Sequence, residues 1–283
     1  MTIAPGDRAV RSLPNGAART PGAQLVLASG SPRRLALVQA LGFRILQRPV
    51  DIDERAHAGE APDAMVLRLA EAKARAGLAL AGDAAQSGLS GSGSAEASLS
   101  GAGLPGSGLP GSGLPVLGAD TVVVLDGAVL GKPVDRAEGM RMLRALSGRA
   151  HQVLTGVAVV AGSQLRVALS RSLVVFREIP AAEAERYWAT GEPRDKAGGY
   201  GIQGVGGIFV ERLEGSFSGV MGLPVAETEH LLRAAGVDCW RYRQGGSPES
   251  GSSEGAGQGS ANDATPRSGM GPATDGSTQA SDR

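Results

Sequence analysis

Residues 25–34, Leu-Val-Leu-Ala-Ser-Gly-Ser-Pro-Arg-Arg, decide how the chain is read. Leu25 to Ala28 is too short and too apolar for a surface helix and reads as a buried strand. Ser31 can cap a helix, and Pro32 suits the first helical position, where its missing N–H leaves nothing unpaired. A strand therefore stops in a tight turn at Ser29-Gly30-Ser31 and opens a helix. The helix's first free N–H groups, two serine hydroxyls and the guanidinium groups of Arg33 and Arg34 gather within one turn, a corner that attracts phosphate. Arginines there oppose the helix dipole by a few tenths of a kcal/mol up to about 1. Solvated surface would explain the pair, but an anion between the arginines and the backbone explains it better.

Around this stretch, only part of the chain has the composition of a core. Of 283 residues 44 are glycine and 3% are aromatic. Residues 1–22 carry Pro, Gly and Arg without periodicity, 82–115 are dominated by Gly, Ser, Leu and Pro, and 244–283 are Gly, Ser and polar. These are expected to be a disordered head, a low-complexity insertion and a disordered tail. The remainder, 23–243 less the insertion, is one domain rich in Val, Leu and Ala. Formal net charge is zero, so no whole-molecule field argues for a nucleic acid polymer or an anionic membrane. Cys239, the single cysteine, excludes a disulfide framework and a cysteine metal cluster. No signal core and no apolar run near the roughly 20 residues of a membrane span is present, so a soluble cytoplasmic protein is expected.

After the first helix, with Leu35, Val38 and Leu41 on one stripe and Gly42 as its stop, Phe43 to Val50 reads as a strand. Asp51-Ile52-Asp53-Glu54 follows, by itself a solvated charge run. A helix from Pro62 to about Leu80 buries Met65 or Val66, Leu69, Ala72 and Ala76. Lys73 points along that apolar side, as a snorkelling lysine or as an ammonium aimed into a cleft. Val116 to Leu125 is an apolar strand with Asp120 and Thr121 embedded in it. A carboxylate there must meet a cation, donors or a metal. Asp126-Gly127 turns a hairpin into Ala128 to Leu130, which returns Lys132 toward the same sheet end. Asp135 and Glu138 form a capping box for a helix ending near Ser147-Gly148. His151 to Ala161 and Gln164 to Glu178 read as long strands, Pro180 to Thr190 as a helix, Gly207 to Leu213 as a strand, and Gly222-Leu-Pro224 leads into a last helix. Gly101 to Gly106 and Gly199 to Gly204 match a dinucleotide glycine pattern but lack its strand-then-helix context. His57, His151 and His230 form no metal-spaced pair.

Cations Arg33, Arg34, Lys73 and Lys132 thus accompany carboxylates Glu54 and Asp120. A nucleoside triphosphate needs such opposed charges: cations and a divalent ion for its phosphates, and a base for the attacking water.

Ordered blocks carry a resemblance: Ser29-Gly-Ser-Pro-Arg-Arg34, Lys73 in Ala-Glu-Ala-Lys-Ala-Arg-Ala-Gly, Gly118-Ala-Asp-Thr121, Gly131-Lys-Pro133, Asp195-Lys-Ala-Gly-Gly-Tyr-Gly-Ile-Gln-Gly204 and Val220-Met-Gly-Leu-Pro224. They span essentially the whole core-forming region, and the chain resembles the Maf family of nucleoside triphosphate pyrophosphatases. The block before Gly204 looks like the subgroup acting on dTTP and UTP. The resemblance implies an α/β fold, a curved mixed sheet flanked by helices with two lobes around a cleft, related to inosine triphosphate pyrophosphatases. It implies Asp120 as proton acceptor, Arg33, Thr121 and Gln203 tuning base choice, and Ser29, Arg34, Lys73 and Lys132 on the phosphates. It also implies a divalent cation, Mg2+ or Mn2+, at Glu54 and Asp120, and the homodimer common in the family. Two rival readings stay open here: a nucleotide-binding regulator of septum formation, and a pyrophosphatase for methylated nucleotides such as 7-methyl-GTP.

Overall fold

The computed structural model describes residues 22–87 and 113–240, with the side chains of 82–87 left out. The expected tail, the head before Gly22 and the centre of the insertion lie outside these residues.

Long Val- and Leu-rich strands form the frame: β3 (Val116–Leu125), β5 (Ala150–Ala161) and β6 (Gln164–Phe176) pair antiparallel along nearly their full lengths. Short strands complete the sheet: β1 (Leu25–Leu27), β2 (Ile45–Gln47), β4 (Ala128–Leu130) and β7 (Val210–Glu214). The order is β2-β1-β3-β5-β6-β7, with β4 on the same edge of β3 as β1. β1 runs parallel to β2 and β3, and every other pairing is antiparallel. The sheet is therefore mixed, as expected. The strand anticipated over Phe43 to Val50 shrinks to three residues because its partner β1 offers only three for pairing.

Alternation along β3 assigns its two faces to different work. Val116, Gly118, Asp120, Val122 and Val124 face α2 (Pro62–Ser87), while Leu117, Ala119, Thr121, Val123 and Leu125 face the other way. On that second face two separate cores form. Leu117 and Ala119 join α1 (Pro32–Ala40) and α6 (Val225–Ala234) in one. Val123 and Leu125 join α3 (Arg136–Leu146) and α4 (Ala181–Ala189) in the other. Thr121 sits between them, and the two cores are the two lobes.

α2 buries Val66, Leu69, Ala70, Lys73, Ala74 and Gly77. The stripe is rotated from the expected one, leaving Ala72 and Ala76 half-buried. The rotation has a steric cause, because β3 and β5 meet the helix at Gly118 and Gly156. A Cβ at Gly118 would lie 2.3 Å from the Ala70 carbonyl oxygen, and one at Gly156 2.4 Å from that of Val66. The helix also runs on to Ser87, into the segment expected to be low-complexity. Elsewhere the expected capping box forms in part: Asp135 accepts from the Glu138 N–H at 2.7 Å, while the Glu138 carboxylate reaches past the cap residue to the Val134 N–H. The stretch from Gly207 departs from its expected strand. Val205–Phe209 winds as a 3-10 turn and the ladder begins at Val210. A helix that was not anticipated, α5 (Phe217–Met221), is started by the Ser216 hydroxyl accepting from the Gly219 N–H. No helix among the described residues is long and apolar enough to cross a membrane.

His151, with no role in the reading above, is a core residue. It packs edge-on against Phe176 and Tyr200, and its Nε2 lies 2.8 Å from the Tyr200 hydroxyl. Burial pulls its pKa from 6.5 down to about 4. The unfolded chain thus binds the extra proton between these values, so stability is complete above pH 6.5 and falls on acidification toward 4, at up to about 1.4 kcal/mol per pH unit. His151→Gln keeps a hydrogen-bonding group but does not titrate. Urea unfolding at about pH 7 and about pH 5 should show a shallower loss for the variant than for the parent, and equal losses would refute this.

Candidate active site

The site lies where the sheet forks. β3 pairs with β1 through Val116 and Leu117, and with β4 only from Val123 onward. Between them the edge of Gly118 to Val122 is free of both strands, and the chains leaving β1 and β4 diverge around the gap. The first is the Ser29 to Arg34 turn, and the second brings Lys132. The gap opens just past the carboxyl end of β1, and crevices outside strand carboxyl ends are where ligands bind in open α/β sheets. The cavity there has a volume of about 930 Å3, and all nine residues selected from the sequence line it.

At its base Asp120 and Lys73 are both buried, at 7% and 8% exposure. The Lys73 ammonium lies 2.6 Å from a carboxylate oxygen of Asp120 and 2.6 Å from one of Glu54. Lys73 is therefore not a snorkelling lysine, and Glu54 is drawn out of its charge run to become its second partner. Partial burial alone would raise the Glu54 carboxyl. The hydrogen bond from Lys73 and the positive charges of Lys73, Lys132 and Arg34 outweigh it and hold the group below its ordinary range.

The turn after β1 is held at several points. Ser31 caps α1, accepting from the Arg34 N–H, and the Ser29 hydroxyl accepts from the Ser31 N–H at 3.2 Å. Gln47 on β2 donates to the Ser29 carbonyl at 2.8 Å. Arg34 reaches across the fork: Nε donates to the Gly222 carbonyl at 2.7 Å, Nη2 to the Thr121 hydroxyl at 3.1 Å and Nη1 to the Ser29 hydroxyl at 3.3 Å. A guanidinium has five N–H donors, so two remain for an anion. Burial lowers the Arg34 pKa and the charges of Asp120 and Glu54 oppose that shift. Arg33, half-buried, stands 3.6 Å from Asp195 on the opposite lobe. Lys132 and Gln203 are exposed at the mouth.

Thr121 belongs to a directed chain of hydrogen bonds. The Thr155 hydroxyl donates to the Gly219 carbonyl at 2.8 Å, so in its 2.9 Å contact with Thr121 it accepts, and Thr121 in turn accepts from Arg34. Thr155 and Gln47 escaped the sequence reading. Thr155 was accessible in principle, since it faces Thr121 once β3 and β5 are paired, whereas Gln47 depends on a contact no local pattern marks.

A divalent ion of the Mg2+ type takes oxygen donors and keeps several waters, using one or two carboxylates plus substrate phosphates. Glu54 and Asp120, brought together on one ammonium, have that chemistry. Among the described residues no group of three or more His, Cys, Asp or Glu side chains converges as a metal-holding cluster.

Cations on both arms of a forked sheet, over a pair of carboxylates, define an α/β protein with a phosphate-handling cleft. The chain belongs to the Maf family: the family's sequence model, described as Maf-like protein, matches residues 24–235. Over 219 residues it is 45% identical to a dTTP/UTP pyrophosphatase of Saccharophagus degradans, covering 77% of this chain and 92% of the relative. Similar matches are to the dTTP/UTP pyrophosphatases of Shewanella sp. strain MR-7, at 47% with 75% and 98% covered, and of Alkalilimnicola ehrlichii, at 46% with 77% and 96% covered.

Thr155→Val should leave the Gly219 carbonyl without its side-chain donor and Thr121 without its acceptor. A loss of about 1–3 kcal/mol in urea unfolding is expected, with Thr155→Ser retaining most of the parental stability. Equal stability of the two variants would show that the hydroxyl chain contributes nothing.

Proposed function

We propose that the protein is a nucleoside triphosphate pyrophosphatase that hydrolyses dTTP and UTP to the monophosphate and pyrophosphate. The observation that carries this is the Asp120–Lys73–Glu54 group set in the fork directly opposite the arginine-bearing turn. The named activity of relatives at 45–47% identity over nearly their whole length supports the substrate class.

In this reading Ser29, Arg34, Lys73 and Lys132 engage the phosphates, and the triphosphate lies with its α-phosphorus near Asp120. Water attacks that phosphorus, and Asp120 takes its proton. The bond from the α-phosphorus to the bridging oxygen breaks, and pyrophosphate leaves with the bonding electrons. Lys73 orients Asp120 through their 2.6 Å contact. Glu54 and Asp120 are the groups to hold a divalent cation, Mg2+ or Mn2+, which when bound neutralises charge building on the phosphate oxygens. Gln203 offers both a donor and an acceptor to a pyrimidine edge, with Arg33 and Thr121 near the base. A cytoplasmic place of action and a homodimer belong to the same reading.

The test is pyrophosphate release from dTTP, UTP, GTP and 7-methyl-GTP with Mg2+ and with Mn2+. The expected result is turnover led by dTTP and UTP. Asp120→Asn should lower kcat by about 10²–10⁴-fold, the range for a general base, while nucleotide still binds. Release from none of the four overturns the reading, and preference for 7-methyl-GTP replaces its substrate.

A further inference from the structure

The loop that presents Gln203 is built around the carboxylate of Glu192. Glu192 follows α4, and its carboxylate turns inward under the residue 201–206 segment. Oε1 accepts from the Tyr187 hydroxyl at 2.8 Å and from the Gly206 N–H at 3.1 Å, and Oε2 accepts from the Val205 N–H at 2.9 Å. The Tyr187 hydroxyl in turn accepts from the Gly201 N–H at 3.0 Å. Two side chains from one region, α4 and the turn after it, thus grip both ends of the segment. Gly201 is held at its start, Val205 and Gly206 at its end, and Gln203 lies between, exposed to the cleft.

The glycines record how close this grip is. A Cβ at Gly204 would lie 2.3 Å from Glu192 Oε2, one at Gly206 2.5 Å from the Tyr187 hydroxyl, and one at Gly201 3.1 Å from Glu192 Oε1. The Lys196 ammonium, which lines the cleft, is tied to the same residue by donating to the Glu192 carbonyl at 2.7 Å. Tyr187 is buried in the core of its lobe, so the grip is anchored to a rigid base.

We propose that Glu192, with Tyr187, is a positioning residue for base selection. It touches no substrate but fixes the curvature that aims the Gln203 amide at one base edge. The inference rests on the nucleotide reading above, with Gln203 at the base, and predicts that weakening the grip erodes discrimination between bases while leaving phosphate recognition intact.

The test is equilibrium binding of the α,β-methylene analogues of UTP and GTP by calorimetry, which needs no turnover, with inorganic tripolyphosphate as a baseless probe. Glu192→Gln places an amide N–H₂ against a backbone N–H. It should reduce the UTP-to-GTP affinity ratio by about tenfold, the effect of one mispaired hydrogen bond in this half-buried grip, with tripolyphosphate affinity within about twofold of the parent. Tyr187→Phe keeps the ring in the core and removes only the shared hydroxyl, so it serves as the milder variant and should shift the ratio the same way. The double variant should be no worse than Glu192→Gln alone, because both break one grip. An unchanged ratio in both single variants, or an equal loss on all three probes, overturns the proposal and makes Glu192 a purely structural residue. Gln203→Ala separates the two readings. If it leaves the ratio intact, Gln203 is not the base contact and the proposal, which acts through it, falls with that reading; if it lowers the ratio while both grip variants leave it unchanged, the base contact stands and only the proposal falls. Failure of the parent protein to bind either analogue overturns both.

Discussion

A carboxylate set inside a sheet strand is tolerable only where an opposite charge and good geometry offset its lost hydration. Asp120 meets this condition through Lys73, and much of the domain can be understood as what that contact requires. Lys73 stands on α2, so the helix must approach β3 until an ammonium and a carboxylate are 2.6 Å apart. Only glycine at 118 and 156 allows the backbones so close. Removing one partner of a buried pair typically costs about 3–5 kcal/mol, more than its full replacement by apolar groups. Retaining a charged pair where a hydrophobic one would serve stability as well points to use of the charges, and the second carboxylate at Glu54 points the same way.

The fork explains why the site is here and not elsewhere on the sheet. With β1 and β4 sharing one edge of β3 but leaving a gap, the backbone turns at both their ends converge on the same few residues. Six cationic and three acidic side chains line the cavity of a chain whose formal net charge is zero. The positive surplus is therefore local to the cavity. Arg34 resolves its own oddity as well. A cation in the first turn of a helix is disfavoured by the dipole, but here it faces Asp120 and Glu54 and ties the turn to Gly222 on the far side of the gap.

Much of this was legible because the elements concerned obey strong local rules. β3, β5 and β6 are long and apolar, the α3 cap follows a spacing rule, and a charged residue in an apolar strand or stripe is conspicuous, as Asp120 and Lys73 were. The misreadings have equally definite causes. α5 is five residues long, too short for any periodicity, and depends on one serine cap. The apolar run through Ile208, Phe209 and Val210 looks like a strand from its start, yet its first part winds as a 3-10 turn. There Glu192, thirteen and fourteen residues earlier, captures the N–H groups of Val205 and Gly206. Gln47 and Glu192 act across the chain on backbone groups that no sequence pattern marks as their partners, whereas Thr155 becomes visible only once β3 and β5 are paired.

The glycine-rich loop shows how the same spacing can arise from opposite physics. In a dinucleotide site the glycines let backbone N–H groups close on a bound phosphate. Here Gly204 and Gly206 let backbone N–H groups close on the protein's own carboxylate and on the tyrosine that supports it. The anion is internal, so these donors are already engaged and are not offered to a ligand. In the proposed reading phosphate recognition falls to the turn at Ser29 and to the cations around the fork, and the loop carries a neutral amide, Gln203, at the cleft. On that proposal, a loop satisfied from within separates the group that would read a base from the groups that would hold the charge, so each can vary without dismantling the other.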